Sequence, residues 1–232
     1  MFTGIPIFSF IVLDPLYFIL VGPFLLLGLL AQVWVKSAFM SGQSHPTSIS
    51  GAQAARRILD NAGLMDVAIE QVEGTLSDHY DPSARVLRLS PEVYHGFTAS
   101  AVGVAAHEAG HALQHAHKYA PLTIRNLVVP LAGFGSGAGI WMFILGILFS
   151  FPPLILAGIV LFSAVVFFQI INLPVEFNAS TRAKAELANM GIFTSDALGS
   201  VNRVLRAAAM TYVAATLQSI MTLVYLLLPR GE

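Results

Sequence analysis

Between Arg125 and Glu176 the chain runs for 50 residues without a formal charge. A bilayer core takes about 20 apolar residues per helix, so this run is too long for one span and suits two. Phe151-Pro152-Pro153 supplies the break, because proline pushes its predecessor out of helix and cannot continue one itself. The expectation is a membrane hairpin over residues 126–150 and 154–173. Its small residues from Gly133 to Gly139 suit close packing of helices in lipid.

Two more segments read the same way. Residues 15–35 carry no charge and stop at Lys36. No basic residue precedes them and Gln32-Val33-Trp34-Val35 is a poor cleavage site, so they read as a retained anchor rather than a signal peptide. Residues 2–13, cut off by Asp14-Pro15, either lie along the membrane surface or lengthen that first helix. Residues 207–229 form a fourth uncharged run. Thr, Gln218 and Tyr within it suggest that one side faces protein, and Thr194-Ser195-Asp196 caps a helix that could run straight into it. Composition agrees: 56% of residues are hydrophobic and 11% charged, against about 25% charged in soluble domains. The fold class expected is a mainly α, multi-pass membrane protein with about four transmembrane helices, and the bilayer is its first partner.

The net charge of −1 offers no field for nucleic acid. The absence of cysteine excludes disulfides, thiolate zinc sites and a cysteine nucleophile. Five segments result: 1–35, 36–125, 126–173, 174–206 and 207–232. In the first polar piece, Ser50 looks like an N-cap for a helix ending near Ala62-Gly63. Residues 67–75 and 85–89 have strand character, with Tyr80-Asp81-Pro82-Ser83 as turn chemistry between them. Ser90-Pro91-Glu92 opens a short helix, and residues 98–118 form a longer, Ala-rich one. Eleven of the twelve Lys and Arg lie in the two polar pieces. With four spans both pieces share a side, and that basic excess makes the side cytoplasmic.

The chemistry sits on the Ala-rich helix, in His107-Glu108-Ala109-Gly110-His111. An i, i+4 pair places both imidazoles on one face about 6 Å apart, where one tetrahedral zinc can take a nitrogen from each. Glu108 lies where a carboxylate can deprotonate an attacking water. Ala109 and Gly110 leave room for backbone opposite. Two His and a Glu on so apolar a helix would be costly without a shared partner.

A third ligand is needed, and Glu176 stands out as the first charge after the hairpin, which returns it to the face from which Arg125 left. It reads as a zinc ligand or as a carboxylate at a helix N-terminus after Pro174, stabilised by the macrodipole; the two can hold together. His79 either donates to a transition-state oxyanion or sits in a turn, and its neighbours favour the turn. His115 extends the stripe one turn too far to share a metal with the first pair. His117 reads as exposed.

These residues resemble a family. Ala105 to His115, then Tyr119-Ala120-Pro121-Leu122 and Arg125, look like the YugP-type neutral zinc metallopeptidases of bacterial membranes. Asp78-His79-Tyr80-Asp81-Pro82, Val86-Leu87-Arg88-Leu89-Ser90 and Leu173-Pro174-Val175-Glu176-Phe177 are further matches. The resemblance implies a small α+β, gluzincin-like core among the transmembrane helices and one zinc per chain. By that resemblance His107, His111 and Glu176 hold the metal and Glu108 is the general base, while His79 stays a candidate contact for substrate or transition state. The sequence is also distantly similar to membrane proteases of the CAAX-processing and HtpX type, whose third-ligand helix reads E-x-x-A-D. Here Ser180 stands in place of the Asp, which leaves the ligand in place and changes the group beside it. In those relatives the strand before the zinc helix can bind substrate by β-augmentation, which makes residues 75–80 a candidate edge.

The expected function is a zinc-dependent endopeptidase in the cell membrane of a bacterium, cutting membrane or unfolded proteins or peptides at the cytoplasmic face. The alternative is a non-hydrolytic zinc-binding scaffold or metal-handling protein, which has no need of Glu108. An ion or proton carrier is a weaker rival, since Asp14 is the one serious ionisable candidate in the spans.

Overall fold

The computed structural model describes residues 14–228. The segment 2–13 lies outside the described residues. The described chain is mainly α with one small sheet: α1 (Pro15–Gln43), α2 (Gly51–Asn61), β1 (Ala68–Gln71), β2 (His79–Asp81), β3 (Val86–Leu89), α3 (Pro91–His95), α4 (Ala99–Ala116), α5 (Ala120–Leu148), α6 (Pro152–Asn189) and α7 (Ser195–Leu227). Four of these, α1, α5, α6 and α7, are long and apolar enough to cross a membrane. The chain divides into two compact units, one within residues 1–30, 124–173 and 212–232, the other 31–123 with 174–211.

The first unit is largely apolar. Phe143, Phe162, Val166, Tyr225 and Leu226 form its buried cluster, while Leu26, Leu29, Phe134 and Val160 point outward, as side chains facing lipid tails do. In the α5–α6 hairpin a Cβ on Gly158 would lie 2.6 Å from the Gly139 carbonyl, and one on Gly146 would lie 2.6 Å from the backbone nitrogen of Ile155. Only small residues permit that approach. Asp14 is engaged at the start of α1: its Oδ1 accepts from the Leu16 N–H at 2.9 Å and its Oδ2 from the Tyr225 hydroxyl at 2.6 Å.

The second unit has a packed core of Ile58, Leu59, Leu87, Leu89, Val102, Ala105, Leu187 and Val201, with α4 in its midst. Ser50 caps α2 in a reciprocal capping box with Gln53, and Gly63 follows at φ +73°, a conformation that favours glycine. The sheet has the order β1-β3-β2. β1 runs parallel to β3 and β2 antiparallel to it, with Tyr80 opposite Leu87. β2 is therefore an edge.

The structure differs from the sequence reading at several places, the first strand among them, which covers Ala68–Gln71 rather than residues 67–75. Tyr80 and Asp81 belong to β2 rather than to the turn. The turn falls at residues 82–85, where the Asp81 carboxylate accepts from the Ser83 and Ala84 N–H groups and Arg85 takes φ +54°. The first span continues past Lys36 to Gln43, because nothing in Ser37–Gln43 breaks a helix. Pro174 lies inside α6 rather than at a helix start. Proline there forfeits one i→i−4 bond, a loss that helices of membrane proteins absorb through neighbouring groups.

Candidate active site

Every residue of the candidate site lies in the second unit. Thr98 starts α4, its hydroxyl accepting from the Ala101 N–H. The helix then presents His107, Glu108 and His111 with Glu108 and His111 buried. Gly110, three residues after His107 and so on the same side of the helix, faces α6: a Cβ there would sit 2.6 Å from the carbonyl oxygen of Ala179. That contact sets how closely the two helices approach. It brings Glu176, one turn before Ala179 on α6, to the histidines.

Glu176 is buried, and its Oε2 lies 3.1 Å from His107 Nε2 and 3.6 Å from His111 Nε2. Since Glu176 is an interior residue of α6, its placement is not that of a helix N-terminal carboxylate. One donor atom from each of the three residues lies within 4.8 Å of the others.

The far side of each imidazole is also held. His111 Nδ1 lies 3.0 Å from Gln114 Oε1, while Gln114 Nε2 donates to the Val175 carbonyl at 2.7 Å and to Asn178 Oδ1 at 3.1 Å. A carbonyl only accepts, so the amide nitrogen must face Val175 and the amide oxygen His111. His111 Nδ1 is therefore the donor, and Nε2 keeps its lone pair for the cluster. His107 Nδ1 meets the Ser180 hydroxyl at 3.1 Å. Ser180, which stands where the E-x-x-A-D pattern has its Asp, thus sets a hydroxyl against that imidazole.

These residues fit a zinc ion. Two imidazoles and one carboxylate are a donor set of catalytic zinc sites, and ligating His residues characteristically donate their second nitrogen to a protein acceptor. Tetrahedral donors at about 2.0–2.1 Å from zinc stand about 3.3 Å apart, and the distances to Glu176 Oε2 of 3.1 and 3.6 Å bracket that value.

Glu108 is turned to the sheet. Its Oε2 accepts from the backbone N–H of Tyr80 at 3.1 Å. In an antiparallel pair alternate residues direct their N–H and C=O away from the partner strand, so Tyr80 is the β2 residue that addresses the open edge. Burial raises the pKa of Glu108 against the weaker opposing pull of His107 and His111, a direction suited to a general base. Burial pulls the His111 pKa down, but the neighbouring carboxylates of Glu176 and Glu108 outweigh that and leave it raised.

The edge strand is anchored by Asp78. Its carboxylate accepts from the Ser90 N–H at 2.7 Å and from the Ser90 hydroxyl at 3.1 Å, tying the residue before β2 to the start of α3. Burial raises the Asp78 pKa, and those bonds oppose the rise. His79 is exposed, with Nδ1 2.8 Å from the Ser77 carbonyl. Among the described residues no hydrogen bond joins it to His107, Glu108, His111 or Glu176. His115 Nδ1 pairs with the Tyr80 hydroxyl at 2.9 Å, and His117 is exposed.

Gln114, Asn178, Asp78 and the Tyr80 N–H are parts of this arrangement that motif reading passes over. Gln114 carried a signal, since it is a polar residue one turn past a histidine on an otherwise apolar helix. The Tyr80 N–H carried none, because a backbone donor is invisible until its strand is paired.

Comparison with known proteins gives the same direction. A family model described as "Putative neutral zinc metallopeptidase" matches residues 17–230. A relative from Bacillus subtilis (strain 168), described as "Putative membrane protease YugP", is 51% identical over 195 residues, covering 83% of this chain and 87% of the relative. No solved structure matches the chain. With the model spanning nearly the whole sequence, the chain belongs to this family of neutral zinc metallopeptidases.

Proposed function

We propose that the protein is a zinc-dependent endopeptidase of the bacterial cell membrane, cutting membrane or unfolded proteins or peptides at the cytoplasmic face. The observation that carries this reading is Glu108: its carboxylate lies between the His107–His111–Glu176 cluster and the open edge of β2. A metal-storing scaffold would not need a buried carboxylate in that position. The family match and the description of the Bacillus relative as a membrane protease support it.

His107, His111 and Glu176 would hold one zinc per chain, and when bound the metal polarises a peptide carbonyl and acidifies water. Glu108 takes the proton of the attacking water and delivers it to the departing amine nitrogen. Burial raises its proton affinity, the direction that suits a group which takes and returns a proton. The Tyr80 N–H holds the carboxylate in place, and the β2 edge can pair with an extended peptide through main-chain hydrogen bonds. His79, at the outer end of that edge, would contact substrate there. Eleven of the twelve basic residues in the two polar pieces support a cytoplasmic site.

The test is Glu108→Gln in purified full-length protein. Zinc content should stay near one per chain while casein cleavage falls by about 10²–10⁴-fold. Cleavage at the wild-type rate would reject Glu108 as the base. Glu176→Ala should lose the zinc, and an unchanged content would remove Glu176 from the site.

A further inference from the structure

A cavity of about 520 Å³ opens beside the candidate site, within the second unit. Its volume lies in the range of small-ligand pockets, about 300–1,000 Å³. Val67 and Ala112 give it apolar wall, and Tyr80, Arg85, His115 and Lys118 give it polar wall. The charged side chains among its lining residues are the cations Arg85 and Lys118, with no carboxylate among them. Asp66 pairs with Arg85 at 2.9 Å from outside the lining, while Lys118 makes no ion pair among the described residues.

Two residues tie the cavity to the reacting centre. Tyr80 gives its backbone N–H to Glu108 and its side chain to the cavity wall, where its hydroxyl meets His115 Nδ1 at 2.9 Å. His115 is one turn beyond His111 on α4, about 6 Å along the axis. An extended peptide advances about 3.3–3.4 Å per residue. A substrate lying along β2 would therefore reach the cavity about two residues from the bond cut at the zinc.

Resting on the peptidase reading above, the geometry points to this cavity as the subsite that sets specificity, taking a carboxylate of the substrate about two residues from the scissile bond. Arg85 and Lys118 are the groups that recognise it. The carboxylate comes either from an internal Asp or Glu or from the peptide's own C-terminus, and the two sources can be separated.

The experiment measures binding rather than turnover. Zinc-loaded Glu108→Gln full-length protein in detergent micelles is titrated with four fluorescent decapeptides: one internal Glu with an amidated end, its Gln counterpart, an uncharged peptide with a free C-terminus, and the same peptide amidated. A carboxylate gripped by a cation should tighten binding about tenfold over its amide counterpart. Preference for internal Glu assigns the side chain, and preference for the free terminus assigns the chain end. Lys118→Glu should abolish the preference, and Arg85→Gln should weaken it. Equal affinity for all four peptides, or a preference that survives both substitutions, overturns the assignment. Carboxylate-selective binding without any cleavage by the unsubstituted protein would leave the subsite standing and reject the peptidase reading instead.

Discussion

Gln114 is fully buried and works in both directions at once, accepting from His111 and donating to Val175 and Asn178. The side-chain amide fixes the tautomer of His111, which a charged or aliphatic residue of the same size could not do while satisfying the Val175 carbonyl. Gln114→Leu should lower zinc affinity about 10–100-fold, measured by competition with a chromogenic chelator, and cost about 1–3 kcal/mol of stability through the unpaired carbonyl. Unchanged affinity would reduce Gln114 to a packing residue. The residue scale also marks what could be read from letters alone. The His107, Glu108 and His111 spacing announces one helix face, and Glu176 announces itself by following a charge-free hairpin. The Gln114–Asn178 pair behind His111 does not, because these are ordinary polar residues whose task is set by what another helix brings to them.

At the level of elements, the decisive contact is α4 against α6 at Gly110. A methyl group on that residue would have to displace backbone rather than a flexible side chain, since its nearest neighbour is the Ala179 carbonyl at 2.6 Å. Gly110→Ala should therefore cost about 1–3 kcal/mol, seen as a lower thermal midpoint, and weaken zinc binding by moving Glu176 off the histidines. Normal zinc affinity in a destabilised Gly110→Ala protein would mean that the ligands do not depend on this spacing. Elements were legible in the sequence in proportion to their length. Four long apolar helices stand out because hydropathy needs no knowledge of partners. β2 does not, since three residues beginning His79-Tyr80-Asp81 become a strand only through β3, and their Asp-Pro continuation looks like a turn. Pro174 misleads for a related reason: a proline rule derived from helices in water does not end a helix whose backbone groups find partners elsewhere.

For the molecule as a whole, the candidate metal joins segments that the chain itself keeps apart. His107 and His111 come from α4 and Glu176 from α6, with α5 and the first two thirds of α6 between them in sequence. A ligand that binds the native state alone stabilises it in proportion to RT ln(1 + [L]/Kd), about 4 kcal/mol at a thousandfold excess over Kd. Chelation of zinc should thus lower the thermal midpoint of the second unit by several degrees, and the shift should vanish in Glu176→Ala. An identical midpoint with and without chelator would show that the cluster holds no zinc. The same separation has a consequence for biogenesis. A nascent chain carries His107, Glu108 and His111 well before the ribosome has supplied Glu176, with a 50-residue uncharged run made in between. The cluster of His107, His111 and Glu176 therefore cannot assemble until the uncharged run that separates them in sequence has been made.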